Sequence, residues 1–230
     1  KGIDMPLQIH SIDNWLHPTA FYKNVKMLQE GGYEVDFLSD KMIAERARAA
    51  PFYKKSPELI IIPRANYMPL QTLRNIIALA HNDIIIFQEL PTDVNGMYNL
   101  TERRNEFKQF TDSLSVQKNS EGLYQVNGRR IYVCNNIEQA IQHVKWNTRE
   151  SISDLGLKYI KRGDGKSLFY FISNNTAKDI DEKVELSTIA THVVFTDPLN
   201  GVTGGAPFEN TAKGIRGRIQ LKSGQSLLIN

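Results

Sequence analysis

LIIIPRANYMPLQTLRNIIALAHNDIIIF, residues 59–87, sets two wholly apolar tetrads on either side of one amphipathic segment. Leu59-Ile60-Ile61-Ile62 and Ile84-Ile85-Ile86-Phe87 are short, β-branched and lack polar alternates, the pattern of strands covered on both faces. Between them, Pro69 suits a first helical turn, and Leu70, Leu73, Ile76, Ile77 and Leu79 form one helical stripe. Strand, helix and strand in so short a stretch predict a right-handed crossover between parallel strands.

The same alternation extends outward. Upstream, Pro18 opens a helix with Phe21, Val25 and Leu28 on one face and Gly31-Gly32 as its stop. Tyr33-Glu34-Val35-Asp36-Phe37-Leu38 alternates like a half-buried strand, and Asp40 caps a helix running to Ala50, where Pro51 ends it. Downstream, a polar helix is expected over 101–114. Leu123–Val126 and Arg130–Val133 then flank Asn127-Gly128, a tight-hairpin signal that leaves strand order at that edge open. A helix from Ile137 to Trp146 closes an α/β domain expected over 18–147, with helices on both faces of a parallel sheet.

Beyond it the helices stop. Leu157–Ile160, Ser167–Ile172 across Gly163-Asp164-Gly165, Lys183–Leu186, His192–Thr196, Arg216–Leu221 and Ser226–Ile229 are strands separated by Asn-, Gly- and Asp-rich turns. That pattern predicts a small β-sandwich over 156–230. The fold class is therefore α/β plus all-β. Thr148–Asp154 is polar and follows neither period, as expected of an exposed connector.

Bulk properties exclude several functions. With 28 basic and 25 acidic residues the net charge is +3, and no Lys/Arg block gives a nucleic-acid footprint; the Arg103-Arg104 and Arg129-Arg130 pairs read as solvated faces. Cys134 is the sole cysteine, so there is no internal disulfide framework. No apolar run approaches the roughly 18 residues of a membrane span. The start Lys1–Pro6 has no signal-like apolar region, and a mature or excised segment is expected.

The search for chemistry returns few groups. The loops after the apolar strands are not glycine-rich, and Gly201-Val202-Thr203-Gly204-Gly205 has no helix after it to hold a phosphate. Cys134 sits between a strand and a helix, but Val133 and Asn135 replace the small residues a nucleophile elbow needs, and His143 is not marked as its base. His10, His17, His81, His143 and His192 lack ligand spacing, and the order of Asp179, Asp181 and Glu182 is not that of a calcium loop. No metal or cofactor is expected. Glu89 and Asp93 follow a strand end, where open α/β sheets place their ligands, and two carboxylates could serve glycosidic acid–base chemistry. Trp15, Tyr22, Tyr67 and Tyr98 lie on or near loops and could stack on sugar rings; Trp146 reads as core.

A resemblance enters at Gln8–Tyr22, a stretch similar to large bacterial α-L-rhamnosidase-type enzymes of glycoside hydrolase family 106. Gly32–Asp40, Ile62–Leu70, Phe87–Val94, Phe171–Asn174, Asp197–Gly201 and Leu221–Ser226 add to it. The resemblance implies that the catalytic carboxylates belong to a preceding (β/α)-barrel, that residues 1–17 are a linker or the tail of that preceding domain, and that no active-site residue falls in this chain. It implies a flavodoxin-like, degenerate class I amidotransferase-like domain, then a β-sandwich, in a parent protein expected to be periplasmic or extracellular. Two readings follow. One is a non-catalytic accessory region that packs on the barrel, with carbohydrate contact through Trp15, Tyr67, Glu89, Asp93 and Tyr98. The other is a free-standing carbohydrate-processing or amidotransferase-like enzyme using Glu89, Asp93 and Cys134.

Overall fold

The computed structural model describes residues 11–49, 57–119, 123–146, 148–163 and 167–230. The chain divides into two compact units, one taking the chain up to Asn24 and Asp36–Trp146, the other Val25–Val35 and Asn147–Asn230. An α/β sheet containing parallel strands forms the first, and antiparallel sheets form the second.

In the first unit, a short helix α1 (Ile12–Trp15) precedes α2 (Ala20–Glu30), and the change of unit falls inside α2. Thr19 caps α2, its Oγ1 accepting from the Tyr22 N–H at 3.1 Å. Helix α3 (Asp40–Ala49) is capped by Ser39 rather than Asp40, with the Met42 N–H on Ser39 Oγ at 3.3 Å. Asp40 instead accepts from Thr72 Oγ1 at 3.0 Å, pinning α3 to α4 (Leu70–Leu79). The expected helix end at Ala50-Pro51 lies outside the described residues.

Strands β1 (Leu59–Ile62) and β2 (Ile84–Phe87) pair in parallel, Leu59 opposite Ile84 through Ile62 opposite Phe87. All of β2 is buried, whereas Leu59 and Ile61 of β1 are only half-buried, because β1 is the sheet's edge. Helix α5 (Leu100–Asp112) buries only Phe107. Strands β3 (Val116–Lys118), β4 (Tyr124–Val126) and β5 (Ile131–Val133) complete the order β1-β2-β5-β4-β3. The hairpin forms as read: Asn127 (φ 52°) and Gly128 (φ 63°) both take the left-handed conformation its turn demands. Its second strand joins β2 in parallel, Ile85 opposite Ile131. Helix α6 (Ile137–His143) follows, and Trp146 lies past its end, half-buried. Leu73, Ile76 and Leu79 of α4 share one core with Ile60, Ile85, Phe87, Phe107 and Ile131. Each fully buried side chain of this size contributes about 1.5–3 kcal/mol.

In the second unit, β7 (Leu168–Ser173) pairs antiparallel with β6 (Lys158–Gly163) and with β13 (Ser226–Ile229). With β9 (Val194–Thr196) and the unanticipated β10 (Thr203–Gly205) they form a five-stranded sheet ordered β10-β9-β13-β7-β6. A three-stranded sheet is ordered β11-β12-β8, from β8 (Ile180–Leu186), β11 (Phe208–Asn210) and β12 (Ile215–Leu221). The inward residues of both sheets meet in one core: Tyr170, Ile172, Leu227 and Ile229 from the larger, Val184, Leu186, Ile215 and Ile219 from the smaller. Two sheets sharing one core are a sandwich. The Asp164-Gly165 turn lies outside the described residues.

Two expectations are corrected. Tyr33–Leu38 is not a strand: its alternation is real, but among the described residues no strand pairs with its backbone. Thr148–Asp154 is not an exposed connector either. Glu150 is 1% exposed, Ile152 is fully buried, and Ser151–Leu155 is a 3₁₀ helix. The same contacts explain why Val25–Val35, expected in the α/β domain, belongs to the second unit. Gly32 O accepts from the Glu150 N–H (2.8 Å) and the Tyr159 hydroxyl (2.9 Å), and Gly31 O from Arg149 Nε (2.7 Å).

Candidate functional site

The parallel strands of the first unit all end on one edge, and each is followed within two residues by a polar side chain: Arg64 after β1, Gln88 and Glu89 after β2, Asn135 after β5. The ladder runs one residue past the strands, with Gln88 N–H on Ile62 O and Cys134 N–H on Phe87 O, each at 2.9 Å. That fixes Gln88 and Cys134 side by side at the sheet edge, where ligands of open α/β sheets sit.

Side chains then tie the three strand ends together. Arg64 Nε meets Glu89 Oε2 at 2.8 Å, and Arg64 Nη2 donates to Asn135 Oδ1 at 3.2 Å. Gln88 Oε1 accepts from the Arg64 N–H (3.2 Å) and from Asn24 Nδ2 (3.1 Å), while Gln88 Nε2 donates to Asn135 O at 3.4 Å. Sequence reasoning missed Asn24, Arg64, Gln88 and Asn135. For Arg64, Gln88 and Asn135 the available signal was a polar residue just beyond each parallel strand; Asn24, within α2, carried none.

Asp93 belongs to a neighbouring cluster. Its N–H donates to Asn66 O and its carbonyl accepts from the Met68 N–H, both at 3.0 Å, and Tyr67 and Asp93 form a parallel bridge. Its carboxylate accepts from Arg104, Nε to Oδ1 at 3.0 Å and Nη2 to Oδ2 at 2.6 Å, and from the Val94 N–H at 2.8 Å. Hydrogen bonds from Arg104 first, then from Val94, hold the Asp93 carboxyl below its ordinary range. A glycosidic general acid needs the opposite displacement, upward. Glu89, the other candidate carboxylate, is ion-paired to Arg64.

The aromatic candidates differ in exposure. Tyr67 is 55% exposed and Tyr98 81%, beside Met97 at 83%. The loop of Met97 and Tyr98 is clamped from α5: Arg103 Nη2 donates to Asn95 O at 2.6 Å and Nη1 to Tyr98 O at 3.2 Å. Trp15 lies on α1 and is 38% exposed, and Tyr22 stacks on His17 with ring centroids 4.1 Å apart.

Cys134 is half-buried, and its Sγ bonds to Asn136 O at 3.1 Å and to Gln139 Oε1 at 3.8 Å. Asn136 caps α6, so the thiol is part of a helix-start network whose members are not bases. His143 packs its ring against Tyr132 and contacts Asn119 Nδ2 at 3.4 Å. Among the described residues, no three His, Cys, Asp or Glu side chains gather as a metal site, and no helix is long and apolar enough to cross a membrane.

No protein-family model matches the chain, and no curated protein matches it. Among solved structures, the chain is similar to a rhamnosidase from Novosphingobium sp. PP1Y, with a TM-score of 0.57 and 15% identity over 74% of this chain. The chain spans only 16% of the length of that rhamnosidase. The likeness is one of fold.

Proposed function

We propose that this chain is a non-catalytic accessory region of a larger α-L-rhamnosidase-like glycoside hydrolase of the family 106 type. In this reading, the first unit is a flavodoxin-like domain of degenerate class I amidotransferase kind, and a preceding catalytic barrel of the same polypeptide is its partner. One observation carries it: most of this chain matches a stretch that is 16% of a solved rhamnosidase. The edge chemistry agrees, because Glu89 and Asp93 are each engaged by an arginine and Cys134 by a helix cap. Tyr67 and Tyr98 would give the region sugar contact, with Asp93 and Glu89 as hydrogen-bond acceptors beside them and Trp15 as a separate platform.

The test is turnover of an aryl α-L-rhamnoside by the isolated chain, beside a small panel of other aryl glycosides. None is expected. Turnover that is lost in Glu89→Gln or Asp93→Asn would reinstate the free-standing enzyme. Sugar contact is tested separately, by calorimetric titration with a rhamnose-containing oligosaccharide against Tyr67→Ala/Tyr98→Ala.

A further inference from the structure

The two outer faces of the β-sandwich are built differently. On the three-stranded sheet the outward residues are charged and laddered: Arg218 is paired to Asp181, and Arg216 to Glu185, across β12 and β8. That is the surface expected of a sheet face in water. On the five-stranded sheet, Ile160, Phe171 and Leu228 stand directly opposite one another on β6, β7 and β13. The period of two that buries Tyr170, Ile172, Leu227 and Ile229 inward turns these three outward. Ile160 is 56% exposed and Phe171 40%, and Val194, 37% exposed, continues the apolar surface on β9 beside Leu228's partner Thr196. A contiguous apolar row in the middle of an outer sheet face is what a protein interface needs and a solvated face does not.

Two basic side chains border this row. Lys158 and Arg162 flank Ile160 on β6 and are exposed, and Arg162 already draws one carboxylate, Glu34, to 3.6 Å. The row itself is mostly aliphatic, a poor stacking surface for sugar rings and a good one for protein side chains. We infer that the Ile160–Phe171–Leu228 face is the docking surface for the rest of the parent polypeptide, which meets it with an apolar patch edged by carboxylates. This rests on the reading of the chain as one region of a larger enzyme, and it names the surface through which that region is held.

The test compares one probe in two contexts. In a Cys134→Ser background, Ile160→Cys is labelled with a maleimide in this 230-residue chain and in the complete reading frame. Rapid labelling in the chain and a slowing of about tenfold or more in the complete protein are expected, as for a thiol that must await local opening. Lys158→Glu/Arg162→Glu should partly restore labelling in the complete protein. Equal rates in both contexts overturn the inference, as does slow labelling in the chain alone. Concentration-dependent protection in the chain alone would assign the face to a second copy and overturn the stated partner. A reading frame holding no glycosidase barrel defeats the proposed function instead, and protection at position 160 in such a protein would separate the two failures.

Discussion

The Tyr170 hydroxyl donates to Glu150 Oε1 at 3.0 Å, with both residues only 1% exposed. Lys161 Nζ reaches the same oxygen at 2.8 Å, and the Ser187 N–H donates to Oε2 at 2.8 Å. One carboxylate thus satisfies a strand lysine, a strand tyrosine and a backbone amide inside the second unit. Glu150→Ala leaves the Lys161 charge and the Ser187 amide buried without that partner, and should destabilise the unit by about 3–5 kcal/mol. Urea unfolding followed by circular dichroism measures this; a loss under about 1 kcal/mol would show that the network is dispensable.

The same contact predicts an alkaline limb of stability. Burial first, and the negative charge of Glu150 second, push the Tyr170 phenol far above its ordinary value of 10, and burial shifts Tyr159 the same way. A raised folded-state pKa means that this stabilisation is complete below pH 10 and is lost as pH climbs toward the folded value. Above about pH 10, Tyr170 alone should cost about 1.4 kcal/mol per pH unit. In Tyr170→Phe the urea midpoint should start lower at pH 8 and fall less steeply between pH 9.5 and 11. Parallel slopes in the two proteins would count against the mechanism.

Gly32 holds the Val25–Val35 segment to this network. Its φ is +87°, and a Cβ there would lie 2.4 Å from Glu150 O, a backbone atom that cannot swing away. Gly32→Ala should therefore cost about 2 kcal/mol or more. The neighbouring Gly31→Ala is the control: its φ is not positive and its nearest contact is 3.1 Å. Equal loss in the two variants would refute the geometric argument.

Arg149 should resist trypsin. Its guanidinium is tied to Asp154 and to Gly31 O, and the next residues form the 3₁₀ helix. Arg149 hydrogen bonding, the larger effect, holds Asp154 below the ordinary carboxylate range, so this tie is present at neutral pH and weakens as pH falls through that lowered value. Timed digestion at pH 8 with mass spectrometry should find the earliest cuts elsewhere. A first cut after Arg149 would mean that the segment opens as a connector after all.

The reading of residues 59–87 survived because its signals are local: an unbroken apolar tetrad admits few structures except a covered strand, and one helix stripe between two of them fixes their direction. The Asn127-Gly128 hairpin was legible for the same reason, since its turn needs φ > 0 at both positions. Tyr33–Leu38 shows the limit. A period of two describes side-chain alternation, which an extended segment has with or without a neighbouring strand. Glu150 shows a second limit, because a buried carboxylate and a solvated one are the same letter; only the folded arrangement of Lys161, Tyr170 and Ser187 distinguishes them. At the sheet edge, sequence spacing placed Glu89 and Asp93 beyond β2 but gave no sign of Arg64 and Arg104, which come from 25 and 11 residues away and take both carboxylates.

Cys134 provides the sharpest chemical test at that edge. A nucleophilic cysteine needs its thiolate, and thiolates are favoured by nearby cations or bases. Here the Sγ is engaged by two oxygens, the Asn136 carbonyl at 3.1 Å and the Gln139 amide oxygen at 3.8 Å, neither of them a cation or a base. The thiol is also half-buried, at the start of a helix that Asn136 caps through the Gln139 N–H at 3.0 Å. Native-state alkylation by iodoacetamide at pH 7.5 should therefore be well below the rate of the same thiol in urea-unfolded chain. Cys134→Ser keeps a donor of similar shape and should fold normally; Cys134→Ala removes it and should cost about 1 kcal/mol. Alkylation as fast in the folded protein as in the unfolded one would mean an accessible, ionised thiol, and would return Cys134 to the list of catalytic groups.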